Sequence, residues 1–228
     1  MQAQDATTLF LLKWWPWVEA NKTRLIAGAA IVAIVIMLVW FVTSQREQKE
    51  LAAGLALTQV TLSASGPSMA DAYLKVAAQH PGTAAGRRAL LQGAAALFDA
   101  GKFPDAQAQF QKYIDTNPDS EFSGPATLGV AACLDAQGKT DLAVGAYQRV
   151  VNSSSDTAVT SAAKFALARI AEAQGRLNDA LVFYQDVSRA NPSSSLGSEA
   201  TLRLIELRSK MPAPSTTPAP PALTVPAK

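Results

Sequence analysis

The sequence has little of the chemistry that most enzymes and metal sites need. Its 228 residues include one cysteine and one histidine, and charged residues make up only 17%. One cysteine excludes an intrachain disulfide or a CxxC redox pair, and with one histidine it cannot form a zinc cluster. Walker A, GxGxxG, GxSxG and HExxH motifs are absent. We therefore predict that the protein is not an enzyme and has no catalytic residue, cofactor site or metal site.

The formal charge argues against nucleic-acid binding. A net charge of +2 is too small for the clustered basic surface that nucleic-acid binding requires, so we expect no nucleic-acid partner.

The single histidine, His80, precedes Pro81 and is interpreted as a group at a helix end. Cys133 lies in an Ala-rich segment, where a small buried hydrophobic side chain is the usual role of cysteine. The low charge content indicates instead a segment that avoids water.

That segment covers residues 25–43, LIAGAAIVAIVIMLVWFVT, and contains no charged residue. As a helix it would span roughly 28 Å, which is close to the hydrocarbon thickness of a bilayer. The apolar part of a signal peptide is shorter and is followed by a small-residue cleavage site. The sequence after Val42, Thr-Ser-Gln-Arg, offers no such site. We predict an uncleaved, single-pass transmembrane helix.

The flanking charges predict its orientation. Lys13, Lys22 and Arg24 precede the segment, whereas Arg46 and Lys49 follow it. Since positively charged flanks tend to stay on the cytoplasmic side, residues 1–24 are expected to form a cytoplasmic or interfacial segment. In a bacterium, the remainder would then lie in the periplasm, anchored to the inner membrane. The tryptophan-rich stretch FLLKWWPWV suits the membrane interface, either as a plain anchor or as a docking surface for another membrane protein.

A period of 37 residues runs through the rest of the chain. Glycine, alanine, an aromatic residue and proline each recur at this interval, and Ser155 replaces the proline of the middle unit. In each unit the glycine ends one helix and turns the chain, an apolar series follows at helical spacing, and Asn-Pro closes two of the three second helices. The columns are Gly101, Gly138 and Gly175; Ala106, Ala143 and Ala180; Phe110, Tyr147 and Tyr184; and Pro118 and Pro192.

The same reasoning predicts the helix boundaries. A helix should precede each glycine, a degenerate first unit should contain two helices, and a capping helix should follow the last unit. Residues 211–228 are rich in proline and alanine and are expected to be disordered. The predicted helices cover 45–62 and 68–79 in the first unit, 87–100, 125–137 and 161–174 before the glycines, and 196–210 at the end.

This pattern resembles the tetratricopeptide repeat, which has small residues near positions 8 and 20, an aromatic near 24 and proline at 32. Aligning Ala106 and its equivalents at position 20 places Ala94, Ala131 and Ala168 at position 8. The period of 37 differs from the usual 34 and needs three extra residues between units. The resemblance implies an all-α fold: one N-terminal transmembrane helix, then, over residues 44–210, a solenoid of about three clear hairpins, a degenerate first unit and a capping helix.

The resemblance also implies a binding surface. In tetratricopeptide proteins the first helices of successive hairpins line a concave groove, which binds other proteins or peptides. Apolar groups mixed with a few charges suit a peptide or a partner helix. The residues of this sequence at the groove positions are Arg88, Leu91, Phe98, Asp99, Leu128, Asp135, Phe165, Arg169 and Glu172. For Leu91 and Phe165 there is an alternative role, which is packing into neighbouring hairpins.

The whole layout, with the segments WVEANKTRLIAGAA and LAAGLALTQV, resembles the membrane-anchored ancillary subunits of the bacterial SecYEG translocon. That resemblance implies a docking platform in protein export, with SecYEG and periplasmic chaperones as partners. The alternative is a scaffold subunit of another envelope complex, in cell division or outer-membrane assembly. That role would use the same groove with different partners.

Overall fold

The computed structural model describes residue 17, residues 19–63 and residues 66–210, apart from the side chains of residues 25, 29 and 67. The predictions for residues 1–16 and for the segment 211–228 lie outside the described residues. Within these ranges there is no strand, and the all-α architecture is confirmed. The helices are α1 (Lys22–Ser63), α2 (Met69–Gln79), α3 (Ala84–Asp99), α4 (Phe103–Thr116), α5 (Ser123–Ala136), α6 (Thr140–Ser153), α7 (Thr157–Ala173), α8 (Leu177–Ala190) and α9 (Ser195–Lys210).

Helix α1 joins two segments that the sequence predicts as separate. It is a single helix of 42 residues, so the apolar segment 25–43 continues without a break into the helix predicted near 45–62. The connecting residues, SQREQKE, contain neither glycine nor proline, and Gln, Arg, Glu and Lys are good helix formers. In the described part of the chain, α1 is the one helix long and apolar enough to cross a membrane.

The described residues form two compact units, of which the first contains α1 and residues 75–88. In this unit both carboxylate oxygens of Glu50 accept from the backbone N–H of Ala84, at 3.0 Å each. The hydroxyl of Thr83 accepts from the N–H of Gly86 at 2.9 Å and donates to the carbonyl of His80 at 2.8 Å. These bonds satisfy free N–H groups in the first turn of α3, which therefore starts three residues before the predicted 87.

The second unit, residues 66–74 and 89–210, contains the helical hairpins. From α4 to α9 each helix packs against the next, and α7 also contacts α5 and α9. Between Phe103 and Lys210, no comparable contact joins α4, α6 and α8, the second helices of their hairpins. The first helices are therefore closer together than the second helices. This places α5, α7 and α9 on the inner side of the stack.

The three periodic glycines have the conformation that their position requires. Gly101, Gly138 and Gly175 have φ values of 73°, 73° and 72°, a left-handed conformation that side chains disfavour. At the first of them, the N–H of Gly101 donates to Phe98 and that of Lys102 to Leu97, both at 2.9 Å. The other two turns repeat this Schellman pattern. The predicted role of these glycines as helix ends is confirmed.

The other helix ends agree with the predictions in part. Helices α4 and α8 stop immediately before Asn117 and Asn191, as the Asn-Pro pairs predict. Helices α5 and α7 begin two and four residues earlier than predicted, at Ser123 and Thr157. For α7 the reason is a cap: the carboxylate of Asp156 accepts from the N–H groups of Ala158 and Val159, at 2.7 and 3.4 Å.

The alanine columns are buried between the packed helices. Ala106, Ala143 and Ala180 are fully buried, and so are the position-8 residues Ala94, Ala131 and Ala168. The aromatic column, Phe110, Tyr147 and Tyr184, is buried as well. A larger side chain at such a buried position would overpack the surrounding helices.

We expect Ala143→Leu to lower the free energy of unfolding by roughly 1–3 kcal/mol, because three added carbon atoms overpack the contact. The matched control is Ala108→Leu, on the exposed side of α4, which should change stability by less than about 0.5 kcal/mol. Urea denaturation of the full-length protein in detergent, followed by circular dichroism, measures both. Equal stability of the two variants would contradict the repeat alignment.

Candidate protein-binding surface

An exposed cation and a half-buried carboxylate meet on the inner side of the stack. Arg169 on α7 approaches Asp135 on α5, with 3.9 Å between guanidinium nitrogen and carboxylate oxygen. The arginine side chain is 61% exposed and that of the aspartate 23%. An ion pair this long and this exposed contributes little to stability. The guanidinium is therefore free to bind an acceptor from another molecule.

A pocket of about 240 Å³ opens beside this pair. It offers a cation, an anion, a hydroxyl, an amide and an aliphatic side chain within one small volume. Such a mixture can satisfy both the backbone and the side chains of a bound peptide. The lining residues are Asp135, Thr140, Arg169, Ile170, Ala173 and Gln174.

Glu172 lies one helical turn after Arg169 and is held in place by the core. The hydroxyl of Tyr184 donates to its carboxylate at 3.0 Å. Burial, and secondarily this bond, raise the pKa of Tyr184 well above its ordinary value, so the phenol stays protonated and remains a donor. Since Tyr184 is fully buried, Glu172 is a half-buried group with a fixed orientation. It extends the polar surface formed by Asp135 and Arg169.

Phe165, which was predicted to line the groove, belongs to the core. It is 8% exposed and packs edge-on against Tyr184, with 5.3 Å between ring centroids and 69° between the ring planes. Its neighbours include Ala168, Leu204 and Leu207. Phe165 therefore packs within its own hairpin and in one cluster with the capping helix α9, because an aromatic ring gains more from burial here than from exposure on the inner surface.

The remaining predicted groove residues lie on two helices, α3 and α5. Leu128 on α5 and Leu91 on α3 are half-buried. Phe98 packs edge-on against Phe103 across the turn between α3 and α4, at 5.2 Å, while Asp99 is exposed at the last position of α3. Arg88 is exposed and belongs to the unit that contains α1. The structure pairs Asp135 with Arg169, and Glu172 lies one turn further along α7.

Sequence reasoning missed a second pocket of about 450 Å³ between α4, α5 and α6. Its residues fall outside the repeat signature, and no motif in the sequence marks them. Ile114, Val130 and Ala146 supply apolar surface to the pocket. Polar side chains supply the rest of its lining: Gln111, Thr127, Arg149, Asn152 and Ser153.

Reactive groups are scarce in the described part of the chain. Cys133 is buried, and burial raises the pKa of its thiol to about 11. Hardly any reactive thiolate is therefore present at neutral pH. Across residues 19–63 and 66–210, His, Cys, Asp and Glu form no cluster of three that could hold a metal ion.

Comparison with known families agrees with the helical hairpins. A family model described as a tetratricopeptide repeat-like domain matches residues 13–154, and a second, described as a tetratricopeptide repeat, matches residues 134–195. No curated protein matches the chain. Tetratricopeptide repeats generally bind other proteins or peptides and are typically not enzymes. Because the first match spans more than half of the 228 residues, the chain belongs to the tetratricopeptide repeat-like domain family and is a protein-binding module.

Proposed function

We propose that the protein is a membrane-anchored binding module that holds a partner protein on the inner side of its repeats. Residues 25–43 form the anchor, residues 1–24 a cytoplasmic or interfacial segment and residues 44–210 the repeat domain. The main support for an anchor is α1, whose described apolar side chains between Ile26 and Val42 are exposed. A membrane is the environment that removes so much apolar surface from water.

The chemistry of the inner surface supports a peptide-like partner. The Asp135–Arg169 pair provides one strong donor and one acceptor that are both accessible. Ile170 and Ala173 supply apolar area in the same pocket, while Leu128 lies on the neighbouring helix α5. An extended segment or one face of a helix, with alternating polar and apolar groups, would satisfy all of them.

The cellular role that we propose is docking in protein export across the bacterial inner membrane. On this proposal, the repeats lie in the periplasm and the partners are SecYEG or periplasmic chaperones. Support comes from the excess of positive charge before the anchor and from the layout of anchor followed by repeats. A scaffold role in cell division or outer-membrane assembly would use the same surface, and the partners captured decide between the two.

We expect a photoreactive amino acid at Arg169 to crosslink to translocon subunits or periplasmic chaperones in intact cells. Arg169 suits this test because its side chain is exposed beside the pocket. The adducts would be identified by mass spectrometry. The matched control places the same residue at Gln148, which is exposed on α6, a second helix of a hairpin.

Each outcome of this experiment has a defined meaning. Adducts from Arg169 with division or assembly proteins would replace the export role by the scaffold role. Adducts with cytoplasmic proteins alone would overturn the orientation. Equal adducts from Arg169 and Gln148 would overturn the inner surface as the binding site.

A further inference from the structure

The part of α1 beyond the membrane segment carries leucines that no described residue covers. Leu51, Leu55 and Leu62 are 69%, 74% and 83% exposed. With a rise of 1.5 Å per residue, Leu55 lies roughly 18 Å beyond Thr43 along the helix, and Leu62 roughly 28 Å. The hydrocarbon layer does not extend so far from an anchor that ends at Thr43. Lipid therefore cannot cover these side chains when the helix stands upright.

These leucines lie on one narrow side of the helix. Leu51, Leu55, Thr58 and Leu62 are separated by four, three and four residues, which is the spacing of the contact positions in a coiled coil. The same spacing continues toward the N-terminus through the anchor, and none of the residues on it is charged. These further positions are Ala27, Ala30, Ile34, Met37, Phe41, Ser44 and Gln48. Together with the first four they are called the α1 seam.

The α1 seam is distinct from the side of α1 that packs within its own unit. Ala53 is fully buried, and Glu50 binds the backbone N–H of Ala84. With the α1 seam at heptad positions a and d, Glu50 is at position c and Ala53 at position f, both away from the seam. Helix α1 therefore has one side that contacts other residues of its own chain and an apolar side that no described residue covers.

The residues beside the α1 seam suit a second copy of the same helix in parallel. In a parallel coiled coil, the residue at heptad position g of one helix faces the residue at position e of the other. Glu47 would face Ala52 of the second copy, and Gly54 would face Gln59, so no like charges meet. Space is also available, because nothing lies within 4 Å of a Cβ placed at Gly54.

We propose that two copies of this chain pair along the α1 seam as a parallel, two-stranded coiled coil. The inference rests on the anchoring of residues 25–43 in the proposed function. Insertion gives every copy the same orientation and places Leu51, Leu55 and Leu62 at the same height above the membrane. Confinement to one membrane also raises the effective concentration of the copies, which compensates for the short length of the exposed seam.

Cysteine crosslinking of the full-length chain in its native membrane tests this pairing. In a Cys133→Ala background, the introduced cysteine is the only thiol. Leu51→Cys and Leu55→Cys are on the α1 seam, and Lys49→Cys, exposed on the same helix, is the matched control. After mild oxidation we expect a reducible species of twice the monomer mass for both seam variants and not for Lys49→Cys.

The alternatives give different products. Equal crosslinking at all three positions would indicate random collision and overturn the proposal, as would no product at all. A seam adduct of another mass would show that a different membrane protein covers α1, which also overturns the pairing of two copies. Fractionation keeps the two proposals separate: a chain that washes off membranes refutes the anchor, whereas a retained chain without seam crosslinks refutes only this inference.

A second measurement does not depend on oxidation. Sedimentation of the purified full-length protein in detergent should give twice the mass of one chain, after correction for bound detergent. Leu51→Gln combined with Leu55→Gln should reduce this to the mass of a single chain, because both changes lie at exposed positions and leave the fold intact. A monomeric parent protein, or a variant that keeps the doubled mass, would overturn the α1 seam.

Discussion

Tyr184→Ala should lower the free energy of unfolding by about 3–5 kcal/mol, as for other large aromatic residues truncated in a core. Tyr184 is fully buried in a cluster that joins α7, α8 and α9, where Leu204 and Leu207 of α9 surround it. Its ring also contacts Phe165 edge-on at 5.3 Å. Removing the ring leaves a cavity whose walls come from three helices, and these cannot close over it without moving apart elsewhere.

A second variant at the same position separates the ring from its hydroxyl. Tyr184→Phe keeps the packing of the ring and removes the hydrogen bond to Glu172. We therefore expect the free energy of unfolding to fall by only about 1 kcal/mol. It also frees the Glu172 carboxylate, which should weaken partner binding more than it weakens the fold. Urea denaturation of the full-length protein in detergent compares both variants with the parent. A loss for Tyr184→Ala no larger than that for Tyr184→Phe would show that the ring is not part of a closely packed core.

The packing of the hairpins could be predicted from sequence because it depends on repeated local geometry. A fully buried position between helices favours a small side chain in every unit, and Ala106, Ala143 and Ala180 occupy it at an interval of 37 residues. A turn with positive φ selects glycine in the same way, as at Gly101, Gly138 and Gly175. Each of these requirements is imposed by a few neighbouring residues, so the sequence records it as a column.

The parts that sequence reasoning missed depend on contacts between distant residues. Glu50 binds the start of α3, 34 residues further along the chain, and no periodic pattern reports such a pair. Phe165 has the helical spacing of a groove residue, yet the aromatic ring of Tyr184 lies beside it. The same limitation applies to Arg169: its spacing places it on the inner side, but the pairing with Asp135 depends on how α5 and α7 approach each other.

The inner surface is therefore built on a rigid support. Glu172 is oriented by a buried tyrosine, and Arg169 lies one turn before it on the same helix. Helix α7 is joined to α8 a second time by the bond between Lys164 and Asp186, at 2.6 Å. A binding site with its polar groups fixed in advance loses less conformational entropy when the partner docks. Variants that loosen the last hairpin should for this reason affect both stability and binding.

Gly197→Ala changes the start of the capping helix α9. We expect it to lower the free energy of unfolding by about 3 kcal/mol, which is the upper end of the range for overpacking. A Cβ at Gly197 would lie 2.0 Å from the carbonyl oxygen of Asn191, and a backbone atom cannot rotate away as a flexible side chain can. Around this contact, Ser194 donates to the same carbonyl at 2.8 Å and accepts from the N–H of Gly197 at 2.9 Å. The start of α9 must therefore shift, and Leu204 and Leu207 shift with it.

The matched control for this substitution is Gly145→Ala. Gly145 is exposed within α6, and nothing lies within 4 Å of a Cβ placed there. Alanine at that position should raise the free energy of unfolding by about 0.5–1 kcal/mol, because it restricts the unfolded chain and favours the helix. Urea denaturation of the full-length protein measures the change in the free energy of unfolding for both substitutions. A decrease for Gly197→Ala and an increase for Gly145→Ala would show that the close approach at Asn191 holds α9 in place. A stabilising Gly197→Ala would contradict it, since the N-terminal end of α9 would then have space for a methyl group.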